Sequence, residues 1–544
     1  MPPDSWQQNY NPLGNAWLST MVAALPLLLL FYLLAVRRTA AHIAATVAAM
    51  TCALLAITVF HMPITMAAGA VASGWVYGII RVGWVVLAAV FVYELTVESG
   101  HFEIIKHSIG GVTADRRLQV LLIAFAFGAV LEGSGGGGAP VAIAGSMMVG
   151  LGFEPFAAAM LCLIANTAPV AFGGLGNPVR TLTAVTGLPP AVLSAMIGRI
   201  VPITALILPF WLIRSMCRWN HVRDVWPGLL CAGVAFASMQ FYWSNYQDYG
   251  LVDIVAGMFT LLVLTIFFKL WKPRTVFRYE CEPGPVPPPR QYSTPEVLHA
   301  WSPFLLLSLF VIVWGVPAVT KALDTFSSSV PVPGLDKLDY RMPPVMMEPH
   351  AESAIFDFAW ISTVGTGTFL AGLIAGPLLG LSFRRTWQVF FRTCYKMRYP
   401  ELAIMSMLAL GYTTRYSGMD AVMALAMSNT GPAFPFFGTL IGWMGVALTG
   451  TDAGSNALFG SLQVITANKL GLNPILMAAA NSAGGVMGKM IAAQSVVVAS
   501  AAVGLQGKEG DLFRKILPHS IVLASLIGLI VFLYTKFGAA WIPH

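Results

Sequence analysis

Charge is scarce in this chain. Only 10% of its 544 residues are Asp, Glu, Lys or Arg, against about 25% in an ordinary soluble domain, so there is too little polar surface to face water on all sides. Cysteines are few: Cys52, Cys162, Cys217, Cys231, Cys281 and Cys394 form no CxxC pair and most lie in apolar runs, which indicates neither a disulfide framework nor a zinc site. Catalytic signatures are missing as well. There is no HExxH, Ser134 is framed as Glu132-Gly-Ser-Gly-Gly rather than GxSxG, and Gly484–Lys489 is followed by Met490 where a phosphate loop needs Ser or Thr. An enzyme is not indicated, and no cofactor or metal is called for. The opening MPPDSWQQNYNPLGNAW lacks the basic stretch of a cleavable signal, so Ala16–Val36 reads as the first retained membrane span.

What the chain has in abundance is apolar sequence: 57% of its residues are hydrophobic and its mean hydropathy is +0.73. It is expected to be an all-α polytopic membrane protein. The formal charge of +7 is the excess of basic residues that cytoplasmic loops carry, and it implies no nucleic acid. Apolar runs of spanning length lie near 17–36, 42–60, 75–97, 191–213, 226–243, 250–271, 300–320, 355–381, 400–416 and 517–537. Placing the basic clusters Arg37–Arg38, Lys106–Arg117, Arg214–Arg223, Lys272–Arg278, Arg384–Arg398 and Lys508–Lys515 in the cytoplasm puts both termini outside. The Pro-rich loop 281–295 then falls inside, and the acidic loop 321–354 outside.

Two stretches organise the rest. GAVLEGSGGGGAP and ANTAPVAFGGLGNP, between Gly128 and Pro178, return as GVALTGTDAGSNA (445–457) and ANSAGGVMGKMIAAQ (480–494). Gly128, Gly133, Asn166 and Gly173 fall opposite Gly445, Gly450, Asn481 and Gly488, and Ser99-Gly100 opposite Ser417-Gly418. Three spans precede each copy, and the two sets start on opposite sides, so the repeats read as inverted. The first would cover 17–213, the second 300–537, with linking helices and a cytoplasmic loop at 214–299. Segments 118–151 and 436–470 are each short for two full crossings and read as re-entrant hairpins. Segments 155–188 and 474–505 read as unwound crossing helices. The expected total is about 12 transmembrane helices plus two re-entrant hairpins.

Interruptions of this kind survive in lipid only where they are buried or line a wet cavity, and a helix break offers free N–H groups to anions and free carbonyls to cations. The glycines 133–138, with Gly135, Gly136 and Gly137 beside Ser134, let backbone amides approach a ligand, or form only a flexible turn. Asn166, Thr167, Asn481 and Ser482 are side-chain donors for a ligand, or caps for their own backbone. Ser455 and Asn456 lie in the second turn. Glu132 and Asp452 at the hairpin tips and Lys489 in the second broken helix are ionisable groups at membrane depth. Such groups are costly and usually functional, with a structural ion pair as the competing reading. Arg180 and Arg415 fall at similar depths of the two halves and either hold a second anionic group or pair with Glu132, Glu94 or Asp420.

WQQNYNPLGNAWLS, GAVLEG…GGAPVAI, LCLIANTAPVAFG, LTGTDAGSNALFG, AAANSAGGVMGKMI and VGLQGKEGDLFRKILPHS together resemble the bacterial L-lactate permease family, whose carriers include glycolate transporters, over essentially the whole chain. The resemblance implies a multi-pass protein of the bacterial inner membrane that imports short 2-hydroxy monocarboxylates with protons, L-lactate and also D-lactate or glycolate. Its partners would be the small carboxylate, protons and the lipid bilayer, with a homodimer left open. The chain departs from the family pattern at Gly135, Gly137, Ala453, Gly454, Ala492 and Ala493, where the family carries other and mostly bulkier residues, and at Arg180 and Arg415. These departures point to a roomier or more basic site, and so to a larger hydroxy acid or a dicarboxylate as the alternative substrate; an anion channel is the remaining alternative.

Overall fold

The computed structural model describes residues 5–37, 39–135, 139–279, 292–346, 348–505 and 508–543. Gly136 and Gly137, and most of the Pro-rich loop 281–295, lie outside the described residues. Among those described, eight helices are long and apolar enough to cross a membrane, or up to nine if the bent pair Pro155–Ala165 and Val170–Thr186 is one span.

Several apolar runs fold as expected, including Ala41–Thr58, Pro190–Met216, Trp226–Tyr246, Val252–Leu270 and Thr294–Gly315. Two grow well beyond them. The run at 75–97 becomes the continuous helix Ile64–Glu98, and the run at 400–416 becomes the 35-residue helix Phe383–Ser417. The second takes in Arg384–Arg398, expected in a loop. Arg and Lys are good helix formers, and Ser382 caps the start by accepting from the Arg385 amide. At 1.5 Å per residue such a helix is about 50 Å long, so its basic end projects past a ~30 Å hydrocarbon core. There Arg392 donates to Glu98 at 2.6 Å, and Arg385 and Lys396 pair with Glu98 and Glu94, tying the two long helices together.

The all-helical expectation fails in the loop after Asp324. Ser328–Pro331 pairs antiparallel with Ile355–Phe358, and Asp339–Arg341 is flanked by His350–Ala351 and by the amino-terminal strand Trp6–Gln7. These segments are too polar to enter lipid and are joined by Pro and Gly turns, so their backbone groups pair with one another. The span expected at 355–381 accordingly starts later, as Val364–Leu378.

Similar elements recur along the chain. Each long helix ends at a left-handed glycine, Gly100 (φ 76°) and Gly418 (φ 77°). Each is followed by a short helix, a helical hairpin, a broken helix and a long helix. The first hairpin consists of Arg116–Ser134 and Ala139–Gly150, the second of Phe434–Thr449 and Asp452–Leu470. The first arm runs longer than its apolar sequence suggests because Arg116 and Arg117 are inside the helix. Arg117 is fully buried, paired at 2.6 Å with Asp115, and donates to the His221 and Thr275 carbonyls. Both were expected in a solvated loop. Burial is deepest in these interrupted stretches, and Val252–Leu270 packs against the first hairpin.

Candidate functional site

The first break is made by residues that cannot continue a helix. Pro155–Ala165 ends at Asn166, and Pro169 has no N–H to extend the ladder. A short 3-10 turn, Val170–Phe172, leads into Gly174, Leu175 and Gly176, all left-handed with φ of 55°, 55° and 74°. The two helical pieces are bent by 59°. Leu175 adopts a conformation that costs an L-residue roughly 1–2 kcal/mol, and Arg180 holds it there by donating to the Leu175 carbonyl at 3.3 Å while lying 4.9 Å over the Tyr249 ring. Gln240 Nε2 donates at 3.0 Å to Ala168 O, a carbonyl freed by the break.

The second break lies elsewhere than its sequence suggests. Asn481 and Ser482 are inside the regular helix Pro474–Gly488, and the chain unwinds only at Lys489–Ile491, with Ala492 extended before Ala493–Ala502. Asn481 does not cap a helix end. Its Nδ2 donates to Asn456 Oδ1 at 2.9 Å, and its Oδ1 accepts from Gln463 Nε2 at 3.2 Å. Asn456 Nδ2 in turn donates at 3.1 Å to Pro178 O, joining the second hairpin to the first broken helix.

Thr451 caps the second hairpin's returning arm by accepting from the Gly454 amide at 3.0 Å, which places Asp452 in its first turn. Ser482 Oγ donates to Asp452 Oδ2, whereas Asp452 Oδ1 has no hydrogen-bond partner among the described residues. A side chain at Gly485 would strike that oxygen. Lys489, 3% exposed, donates at 2.7 Å to Gly450 O and lies within electrostatic reach of both Glu132 and Asp452. Glu132 is 4% exposed, and among the described residues its Oε2 has no hydrogen-bond partner; Asn166 lies near it, yet neither amide atom of Asn166 completes a hydrogen bond among those residues. A Cβ at Gly173 would sit 2.8 Å from Glu132 Oε1.

The structure thus gathers Glu132, Asn166, Asp452, Asn456, Asn481, Ser482 and Lys489 around the meeting of hairpins and breaks. Other expected residues are satisfied nearby: Ser134 donates to Val130 O at 2.5 Å, Thr167 to Ile164 O at 2.8 Å and Ser455 to Gly442 O at 3.0 Å. Gly135 ends the first hairpin's leading arm. Arg415 lies apart. It pairs at 2.9 Å with Glu352, not with Glu132, Glu94 or Asp420, and donates to the Ala184 and Val185 carbonyls. A Cβ at Gly454 would meet Thr451 Oγ1 at 2.8 Å and Met407 Sδ at 2.9 Å, so neighbouring side chains fill the space that glycine leaves.

Two residues escape a reading centred on the repeats. Asp253, on the linking helix Val252–Leu270, is fully buried, neither carboxylate oxygen has a hydrogen-bond partner among the described residues, and it is within electrostatic reach of Glu132. Its Cβ would lie 2.9 Å from a side chain on Gly133. A single Asp in the apolar run 250–271 is the signal that finds it. Arg81, in the run 75–97, is the other.

Buried acids and a lysine between interrupted membrane helices define a polytopic carrier-like protein. The chain belongs to the L-lactate permease family, whose model matches residues 19–537. Among its relatives, "Glycolate permease GlcA" of Escherichia coli is 43% identical over 97% of this chain and 98% of that one. The "L-lactate permease" of Salmonella typhimurium is 42% identical over 96% and 97%, and that of Bacillus subtilis 38% identical over 99% and 100%. The Alcanivorax borkumensis YdaH transporter superposes with a TM-score of 0.44 at 13% identity, covering 84% of this chain and 86% of that one, too weakly to carry an argument. As a permease-family chain with several apolar helices, this is a multi-pass protein of the bacterial inner membrane.

Proposed function

We propose that the chain imports short 2-hydroxy monocarboxylates, L-lactate and also D-lactate or glycolate, by proton symport. Twelve crossings and two re-entrant hairpins form two inverted repeats with both termini outside, and the substrate binds between the two broken helices. The observation that supports this most is the placement of one buried lysine, Lys489, within reach of two buried acids, Glu132 and Asp452, at the meeting of both hairpins and both breaks. Lys489 and the free backbone N–H groups hold the substrate carboxylate, with Asn166, Thr167, Asn481, Ser482, Ser134, Ser455, Asn456 and Gly135 around it. The 2-hydroxyl has an amide partner in Asn166, whose amide atoms have no hydrogen-bond partner among the described residues.

Moving a monoanion into a negative interior costs about 2.3 kcal/mol per 100 mV, so accumulation needs an accompanying cation. An ionised carboxylate buried without a partner costs several kcal/mol, so Glu132, Asp452 and Asp253 each call for a proton or another compensating cation. Glu132 or Asp452 carries the proton, giving an electroneutral cycle. In proteoliposomes without sodium, added lactate is expected to alkalinise the external medium and to accumulate against its gradient. Strict sodium dependence overturns the proton assignment, and uptake that never runs uphill overturns the carrier in favour of a channel. A larger or dicarboxylic substrate is the second reading; with Arg415 paired to Glu352 and Arg180 on the Leu175 carbonyl, it requires one of these arginines to turn to the substrate. Competition against labelled lactate tests it: longer or dicarboxylic acids must compete better than lactate.

A further inference from the structure

A cavity of about 90 Å³, away from the central cluster, lies between the loop after Asp324 and the two long helices Ile64–Glu98 and Phe383–Ser417. Ser73, Tyr77, Arg81, Tyr412 and Tyr416 give it polar walls, and none of its lining residues is acidic. Arg81 belongs to the turn Gly78–Gly83, where the long helix loosens from α to π geometry, a local distortion that often marks functional sites. Among the described residues, no hydrogen bond or ion pair engages the Arg81 guanidinium or the Tyr77 and Tyr412 hydroxyls. The two tyrosine rings are 6.1 Å apart. Tyr416, by contrast, donates to Ser353 O at 3.0 Å. The neighbouring carboxylate, Glu352, is already held by Arg341 at 3.2 Å and Arg415 at 2.9 Å.

A lone guanidinium within a membrane helix is expensive and calls for an anion. Tyr77 and Tyr249 lie within electrostatic reach of both Arg81 and Arg180. Arg180 is two residues beyond Pro178, whose carbonyl binds Asn456 in the central cluster. Two arginines, Arg81 and Arg180, therefore lie between the cavity and the first break, the second with Asp248 within its electrostatic reach.

We propose that this cavity is an outer carboxylate-binding subsite: a short hydroxycarboxylate docks on Arg81, Tyr77 and Tyr412, then passes Arg180 to the central cluster. The proposal rests on the reading of the chain as a carboxylate importer. Guanidinium geometry suits a carboxylate bidentately, and the two phenols supply further donors. A cleft of one sign of charge raises the local substrate concentration and the on-rate by 10-fold to 10³-fold.

Two measurements test it. In proteoliposomes, Arg81→Gln is expected to raise the KM for lactate by about tenfold with the maximal rate within about twofold, and Arg81→Lys to fall between Gln and the parent. An unchanged KM, or a lost maximal rate at unchanged KM, overturns the subsite. In a cysteine-free background, Ser73→Cys is expected to react faster with an anionic than with a cationic methanethiosulfonate, and lactate should protect it. Arg81→Gln should abolish the charge preference. Equal reaction with both reagents, or a preference that survives Arg81→Gln, overturns the proposal even if a variant does not transport. If the parent fails to take up lactate or glycolate while the charge preference and the protection remain, the import reading fails and the anion site stands.

Discussion

Asn166 and Asn481 occupy matching positions in the two copies of the repeat, yet their surroundings differ. Asn481 is bonded to Asn456 and Gln463, whereas Asn166 has both amide atoms buried and unbonded. An unbonded buried amide costs about 1–3 kcal/mol, a burden explained if Asn166 is kept for a ligand and Asn481 for the frame. Asn481→Ala is therefore expected to lower stability by about 2 kcal/mol, seen as a lower unfolding temperature in detergent. Asn166→Ala should leave that temperature near the parent's while weakening lactate binding. The reverse pattern would exchange the two roles. Lys489→Ala removes the cation that faces Glu132 and Asp452, and breaking a buried pair costs roughly 3 kcal/mol or more, about a hundredfold in binding. Calorimetric titration with lactate measures it, and a folded Lys489→Ala protein that binds like the parent makes Lys489 structural. Asp253→Asn keeps the shape and removes the ionisable group. If Asp253 shares the proton with Glu132, uphill accumulation is lost while exchange of labelled for unlabelled lactate persists; accumulation at the parent level assigns Asp253 to packing alone.

Helix breaks were unevenly legible in the sequence, for physical reasons. The first carries Pro169, Pro178 and a run of glycines, each of which removes a donor or admits a left-handed turn, and the structure breaks at both expected places. The second has only Gly488 at its edge, and Asn481 looked like a breaker because the residue it bonds is 25 positions away. The long helices were under-read because loop assignment followed charge, whereas Arg and Lys support a helix that leaves the membrane. The polar residues that the structure gathers at the central cluster were visible in the sequence as polar groups at recurring positions. Asp253 and Arg81 were not, since both lie on helices outside the interrupted stretches, Asp253 near Glu132 and Arg81 on the 90 Å³ cavity. Arg180 has a role at this scale that substrate recognition does not require, because it clamps the Leu175 carbonyl. Arg180→Ile is expected to slow transport of lactate and of longer acids by the same factor, leaving their competition ranking unchanged. A changed ranking would instead return Arg180 to direct substrate contact.

At the scale of the whole molecule, the amino-terminal segment acts as a strap between the loop after Asp324 and the end of the helix Phe383–Ser417. Trp6 and Gln8 amides donate to Leu338 O at 2.8 Å and Tyr340 O at 3.0 Å. Gln8 Nε2 donates to Asp339 Oδ2 at 2.9 Å and to the Arg415 and Tyr416 carbonyls. This is the structural content of the opening WQQNYNPLGNAW motif, and it places the strap beside the ion pairs that border the outer cavity. Two carboxyls in that loop make the strap sensitive to pH in opposite directions. Burial pushes Asp339 up to about 8, with the neighbouring Glu352 adding to the effect and Gln8 and Arg341 opposing it. Burial also acts against ionised Glu352, but Arg341 and Arg415 together hold its carboxyl below the usual range. For Asp339 the folded protein binds more protons than the unfolded chain between about 4 and about 8, so stability falls as pH rises through that window. For Glu352 the stabilisation is present above the ordinary carboxyl range and is lost as pH falls through its lowered value. The strap should therefore be held best in mildly acidic medium. Amide exchange at residues 6–8, corrected for its intrinsic rate, is expected to show more frequent opening at pH 8 than at pH 5. Asp339→Asn keeps the acceptor for Gln8 but cannot ionise, and it should flatten that difference. If the Asn protein opens with the same pH slope as the parent, Asp339 is not the group that loosens the strap.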